Sequence, residues 1–122
     1  MIFKVNQGIV DISDLDGFEH LPMESYVRRI NKAITFISDR CLSDVSNLVA
    51  IRLNIEFRSE IRSNDEWSLK IFSKNIQEYY IDLNVHIIGN GKICAKANIT
   101  VVPFNSYSRK ASHLSPEEVF NL

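Results

Sequence analysis

The 122 residues carry fourteen lysines and arginines against fifteen aspartates and glutamates, with 45% hydrophobic and 24% charged residues. That length supports one hydrophobic core in a single domain, residues 1–122. A formal charge of −1 argues against a nucleic-acid binder working by bulk electrostatics, while leaving room for a local basic patch.

Cys41 and Cys94 lack CxxC spacing and read as reduced thiols of a cytoplasmic protein rather than metal ligands. His86 and His113 stand outside any ligand spacing, so no metal site and no cofactor is expected. The start, MIFKVNQGIV, lacks the basic region and apolar run of a signal peptide. No apolar stretch approaches the roughly 20 residues of a membrane span.

Along the chain, residues 2–12 are rich in β-branched residues and predict a first strand. An acidic connection follows, DLDGFEHLPMESY, spanning Asp14 to Tyr26. From Glu24 to Leu42, apolar residues recur in steps of three and four at Val27, Ile30, Ile34, Ile37 and Cys41, widened by Tyr26, Ala33 and Phe36. This predicts a helix buried over much of its surface, with Arg28, Arg29, Lys32, Asp39 and Arg40 on its wet side. Pro22 suits the first helical position, where its missing N–H costs nothing. Glu24 suits the first turn, where the helix dipole favours a negative charge.

The period then changes to two. Val49, Ile51, Leu53, Ile55 and Phe57 predict one apolar face of a long strand. A turn at Ser63-Asn64-Asp65 leads to a strand through Trp67, Leu69 and Ile71, expected to break at Lys74-Asn75. Tyr79, Ile81, Leu83, Val85 and Ile87 form the next face. Gly89-Asn90-Gly91 marks a hairpin, because these residues accept positive φ, and Ile93 to Val101 complete the last long strand. The polar segment near 104–114 is expected to be loose, and Ser115-Pro116 to cap and start a short helix. Short turns imply antiparallel pairing, and one long apolar helix must be covered by the apolar face of that sheet. The expected class is α+β, an antiparallel sheet wrapped around one long central helix.

This order, with the motifs it carries, resembles the hotdog-fold thioesterases, most closely the hydroxybenzoyl-CoA thioesterase-like family. Asp14 and Asp16 are similar to the family's paired aspartates, His20 to its histidine, Leu21 to the following valine, and Tyr26 to a tyrosine in the first helical turns. Asn64-Asp65-Glu66 resembles its Gly-Asp turn, and Ser115-Pro116-Glu117-Glu118-Val119 its Pro-Glu-Glu tail. Two departures stand out: Glu19 occupies the place of a glycine, and Pro22-Met23 that of two asparagines.

The resemblance implies hydrolysis of an acyl-CoA or acyl-carrier-protein thioester in a homodimer or homotetramer, with the site at the dimer interface. Asp16 would attack or activate water, with Glu24 the second candidate carboxylate and His20 supporting the site near the helix start. N–H groups near Met23 and Glu24 would polarise the thioester carbonyl, since unpaired N–H groups at a helix N-terminus seek anions. Met23, Tyr26 and Glu19 are the candidate substrate contacts, and Asp14 a structural carboxylate. Phe36, Trp67 and Tyr80 could line an acyl tunnel, and Arg58, Lys92, Arg109 and Lys110 could meet CoA phosphates. A different class stays open: a non-catalytic hotdog module that binds acyl thioesters or a carrier protein. A hydratase or dehydratase is a weaker third reading.

Overall fold

A computed structural model describes residues 2–9, 15, 21–42 and 46–121. The elements are β1 (Ile2–Ile9), α1 (Met23–Cys41), β2 (Ser46–Phe57), β3 (Glu66–Ile76), β4 (Ile81–Gly89), β5 (Lys92–Asn105), β6 (Lys110–Ala111) and α2 (Pro116–Asn121). The strands form one antiparallel sheet in the order β1-β3-β4-β5-β2, with β6 added to β5. This is the expected hotdog arrangement, one long helix lying in the grip of a single sheet.

The helix forms because its apolar residues share a face. Tyr26, Ile30, Ala33, Ile34 and Ile37 are all buried, whereas Val27 and Phe36, expected on the same stripe, fall on its flanks at 38% and 39% exposure. Opposite them lie Leu69 and Ile71 of β3, Ile81, Leu83, Val85 and Ile87 of β4, and Ala95, Ala97, Ile99 and Val101 of β5, all buried. Alanines at 95 and 97, facing a helix that carries Ala33, keep the contact thin enough for close packing.

Four sequence expectations are corrected. Arg29, assigned to the wet side, is 7% exposed; its guanidinium lies over the Trp67 ring, 4.7 Å from the centroid, and donates to the Ser25 carbonyl at 3.3 Å. The apolar face of β2 is not continuous. A bulge between Ala50 and Arg52 shifts the register, so Leu48 and Ala50 pair with Pro103 and Val101, while Leu53, Ile55 and Phe57 pair with Ile99, Ala97 and Ala95. One extra residue in a strand reverses the faces, which leaves Val49 42% and Ile51 64% exposed. Lys74-Asn75 does not end β3; the strand absorbs a bulge between Ser73 and Asn75 and runs to Ile76. Tyr79 lies before β4 and is 63% exposed.

The turns follow their chemistry. Asn90 (φ 50°) and Gly91 (φ 76°) make the two-residue β4–β5 hairpin. Near 104–114, where looseness was expected, the Asn105 side-chain oxygen accepts from Tyr107 N and Ser108 N at 2.9 Å each, and Arg109 at φ 61° closes the β5–β6 hairpin. Ser115 caps α2 reciprocally: Glu118 N donates to Ser115 Oγ at 3.1 Å, and Ser115 N donates to Glu118 Oε1 at 3.0 Å.

Candidate functional site

The N-terminus of α1 is where the expected chemistry converges. Pro22 stands at the N-cap (φ −72°, ψ 159°), one position before the helical start expected for it, and supplies no side-chain cap. A proline has neither a hydroxyl nor a carboxylate to turn onto the first turn, so Pro22 leaves the first-turn N–H groups of Met23 and Glu24 without a cap from its side chain. Ser25 N is taken up by the Pro22 carbonyl at 3.0 Å.

This helix start is pinned from the far end of β2. Leu21 N donates to the Ile61 carbonyl at 3.0 Å, and Ile61 is fully buried. Tyr26 is buried beside Ile61; burial raises its pKa above the usual 10, partly offset by the nearby Ile61 backbone and by the Arg29 charge. The Tyr26 ring meets Phe57 edge-on, with centroids 5.1 Å apart.

Ile61 is held in place by the turn that follows it. Asp65 Oδ2 accepts from Arg62 N at 2.8 Å, and its other oxygen accepts from the Asn90 amide at 2.8 Å. Asn90 Oδ1 accepts from Glu66 N at 2.9 Å. Asp65 thus locks the β2–β3 turn to the β4–β5 hairpin, a structural reason for a carboxylate at that turn. The hairpin is close to the helix start, since a Cβ on Gly89 would lie 3.1 Å from both Cys94 Sγ and an Ile61 side-chain carbon.

Between these parts opens a cleft of about 430 Å³, lined by Leu21, Pro22, Met23 and Tyr26 from the helix side and by Phe57, Arg58, Ser59 and Glu60 from the end of β2. Its walls are apolar at Tyr26 and Phe57 and charged at Arg58 and Glu60. Arg58 bonds Glu56 at 3.2 Å, and Arg62 Nε donates to Glu60 Oε1 at 2.7 Å. Such a cleft at a helix start can hold a carbonyl or an anion near the first-turn N–H groups while burying an apolar group against Tyr26 and Phe57.

Of the expected site residues, Met23 and Tyr26 line this cleft together, and Glu24 is exposed on the first helical turn. Asp14, Asp16, Glu19 and His20 lie outside the described residues; Leu15, between the two aspartates, is described and packs against the core. Arg58 reaches the cleft. Arg109 and Lys110 belong to the hairpin at the other end of the sheet, beside the start of β2, where Leu48 N donates to Ser38 Oγ near the helix C-terminus. A helix of 19 residues puts that end about 28 Å away.

The sequence reading missed Phe57 and Glu60 as cleft residues and Arg29 as a buried cation. Spacing held a hint for Arg29: it lies three residues after Tyr26 and four before Ala33, on the buried stripe. No comparable signal marked Glu60, because the walls of the cleft are 34 residues apart in sequence (Tyr26 to Glu60) and meet only in the fold.

No protein-family model and no curated protein matches the sequence. Solved structures do match over nearly the whole chain. A hypothetical protein from Staphylococcus aureus in complex with CoA superposes with a TM-score of 0.87 at 12% identity, covering 99% of this chain and 81% of that one. A thioesterase from Thermus thermophilus complexed with coenzyme A and zinc gives 0.84 at 16% identity, covering 97% and 89%. An acyl-ACP thioesterase from Bacteroides thetaiotaomicron gives 0.78 at 22% identity, covering 91% of this chain and 49% of that one. These likenesses establish the hotdog fold.

Proposed function

We propose that this chain is a thioester hydrolase acting on an acyl group carried by CoA or by an acyl carrier protein. The observation that carries the reading is the uncapped start of α1 facing the cleft between Tyr26 and Phe57. Acyl transfer needs a donor set that strengthens as charge develops on the carbonyl oxygen, and fixed backbone N–H groups at a helix start supply it without reorganisation. The Met23 and Glu24 N–H groups take this role. The acyl group lies against Tyr26 and Phe57, and Arg58 meets the phosphates of the carrier.

The attacking or water-activating group is Asp16. Its neighbour Leu15 packs against the core, and a general base or nucleophile acts from a fixed position. Glu24 sits on the same turn as the N–H donors and is the alternative carboxylate. His20 supports the helix start, and Glu19 borders the substrate.

The working unit is a side-by-side dimer across β2. Among the described residues β2 pairs only with β5, so one side of a 12-residue strand is open, and open edges invite pairing. Along it Val49, Ile51, Leu53 and Phe57 are 41–64% exposed. Phe57 also lines the cleft, so closing this edge with a second copy would complete the site.

The test is thiol release from a panel of acyl-CoA and acyl-carrier thioesters, read with a thiol reagent. Turnover of at least one class is expected. Saturable binding with no thiol released across the panel refutes hydrolysis and leaves a non-hydrolytic acyl-thioester binder.

A further inference from the structure

The sheet has a second cleft, on the face turned away from α1. Along β4 the inward residues Ile81, Leu83, Val85 and Ile87 are buried, which turns Asn84 and His86 outward. Two rows of side chains run across the strands there, each in direct cross-strand register. One row is Glu56–Lys96–His86–Lys70, the other Asn54–Asn98–Asn84–Phe72. Together Asn54, Glu56, Asn84, His86, Lys96 and Asn98 line a space of about 460 Å³.

The first row gathers basic groups. Lys70 and Lys96 flank His86 on the two neighbouring strands. Glu56 is the one acid of the row, and it is already bonded to Arg58. His86 shows the effect: burial first, then Lys96, Lys70 and Arg58, hold its pKa below the usual 6.5. Its ring is braced by Phe72, with centroids 4.9 Å apart. The second row is also unusual, since asparagine is a poor strand residue and β4 and β5 are inner strands. Among the described residues none of the three amides has a hydrogen-bond partner.

We infer that this outer-face cleft binds an organic phosphate, its phosphate group on Lys96 and His86, with Lys70 beside His86 in the same row, and its polar body on Asn98, Asn84 and Asn54. Cations on one side and amides on the other fit a ligand with one anionic end and a hydroxyl- or amide-bearing remainder. The volume is in the range of small-molecule sites, roughly 300–1,000 Å³, and far larger than a free phosphate needs. The site is separate from the cleft at the helix start, because the sheet lies between the cleft and α1. It reaches β2 through Asn54 and Glu56, whose side chains belong to the row on the face of the sheet.

The experiment titrates inorganic phosphate and glycerol 3-phosphate into the whole chain at constant ionic strength. The His86 ring signals are followed by NMR and assigned with His86→Gln. Saturable shifts are expected for both, with glycerol 3-phosphate the tighter. The apparent pKa of His86 should rise on saturation. After burial, the Lys96, Lys70 and Arg58 charges depress it, and a bound anion offsets those charges. Lys96→Gln should weaken both ligands about ten-fold, the scale of one charge-assisted hydrogen bond. Lys32→Gln, which removes an exposed lysine of α1, should change neither. Asn98→Ala should weaken glycerol 3-phosphate alone. Non-saturating shifts, or equal effects of the two lysine variants, would mean diffuse charge and overturn the site. An Asn98→Ala variant with unchanged glycerol 3-phosphate binding would overturn the organic ligand in favour of a bare anion. A change of oligomeric state in Lys96→Gln, with no phosphate binding in the parent chain, would overturn it in favour of a second copy on this face.

Discussion

Replacing Ile51 by lysine tests the proposed dimer separately from the fold. The bulge in β2 leaves this side chain 64% exposed on an open edge, so the substitution removes little from the monomer, within about 0.5 kcal/mol. Full burial of an isoleucine contributes about 1.5–3 kcal/mol, so covering the part still exposed contributes about 1–2 kcal/mol in each copy and about 2–4 kcal/mol in a two-fold pair. At a factor of ten per 1.4 kcal/mol, losing it weakens the dimer about 30- to 1,000-fold. The lysine also brings a like charge near its own symmetry mate, which acts in the same direction. Sedimentation equilibrium across a concentration series gives the dissociation constant, and thiol release at the same concentrations gives activity per chain. The expected outcome is a monomer with an unchanged thermal midpoint and with turnover that returns as concentration rises. A dissociation constant shifted less than about five-fold would refute the edge assignment. A monomer with full turnover per chain would refute the shared site.

Three further outcomes are expected. Asp16→Asn lowers turnover at least about 100-fold with folding preserved, while Glu24→Gln stays near the parent; the reverse pattern in steady-state kinetics moves the carboxylate to the helix. Tyr26→Phe removes the buried hydroxyl and keeps the ring against Phe57. Because the folded-state pKa of Tyr26 is raised, the unfolded chain loses its proton first, and stability falls as pH rises above the unfolded value near 10; the parent's thermal midpoint should therefore decline more steeply there than that of Tyr26→Phe. Ser115→Ala breaks the reciprocal cap of α2, about 1 kcal/mol, and hydrogen exchange at the Glu118 amide should quicken about five-fold while core amides of β4 stay unchanged.

Much of the architecture was legible because local rules and the fold agreed. The apolar steps of α1, the alternation of β4 and the Gly89-Asn90-Gly91 turn each follow from one period or one φ requirement, and such signals lie within a few residues. Ser115 with Glu118 was legible for the same reason, a cap being a contact three residues long. The sequence by itself also put Met23 and Tyr26 at one helix start.

What it could not contain was the effect of distant partners. The bulge at Ile51 exists because β2 must follow β5 on one side of the break and on the other, and pairing partners are not written in the strand that bends. Arg29 is polar in isolation and buried only because Trp67 arrives from β3 to cover its planar face. Asp65 looked like a turn residue alone, yet it also ties that turn to Asn90 in another hairpin. The second cleft is the clearest case. Lys70, His86 and Lys96 are spaced 16 and 10 residues apart, which means nothing along a chain. Sheet register sets them side by side, because strands bring together residues whose separation is fixed by turns and not by sequence distance.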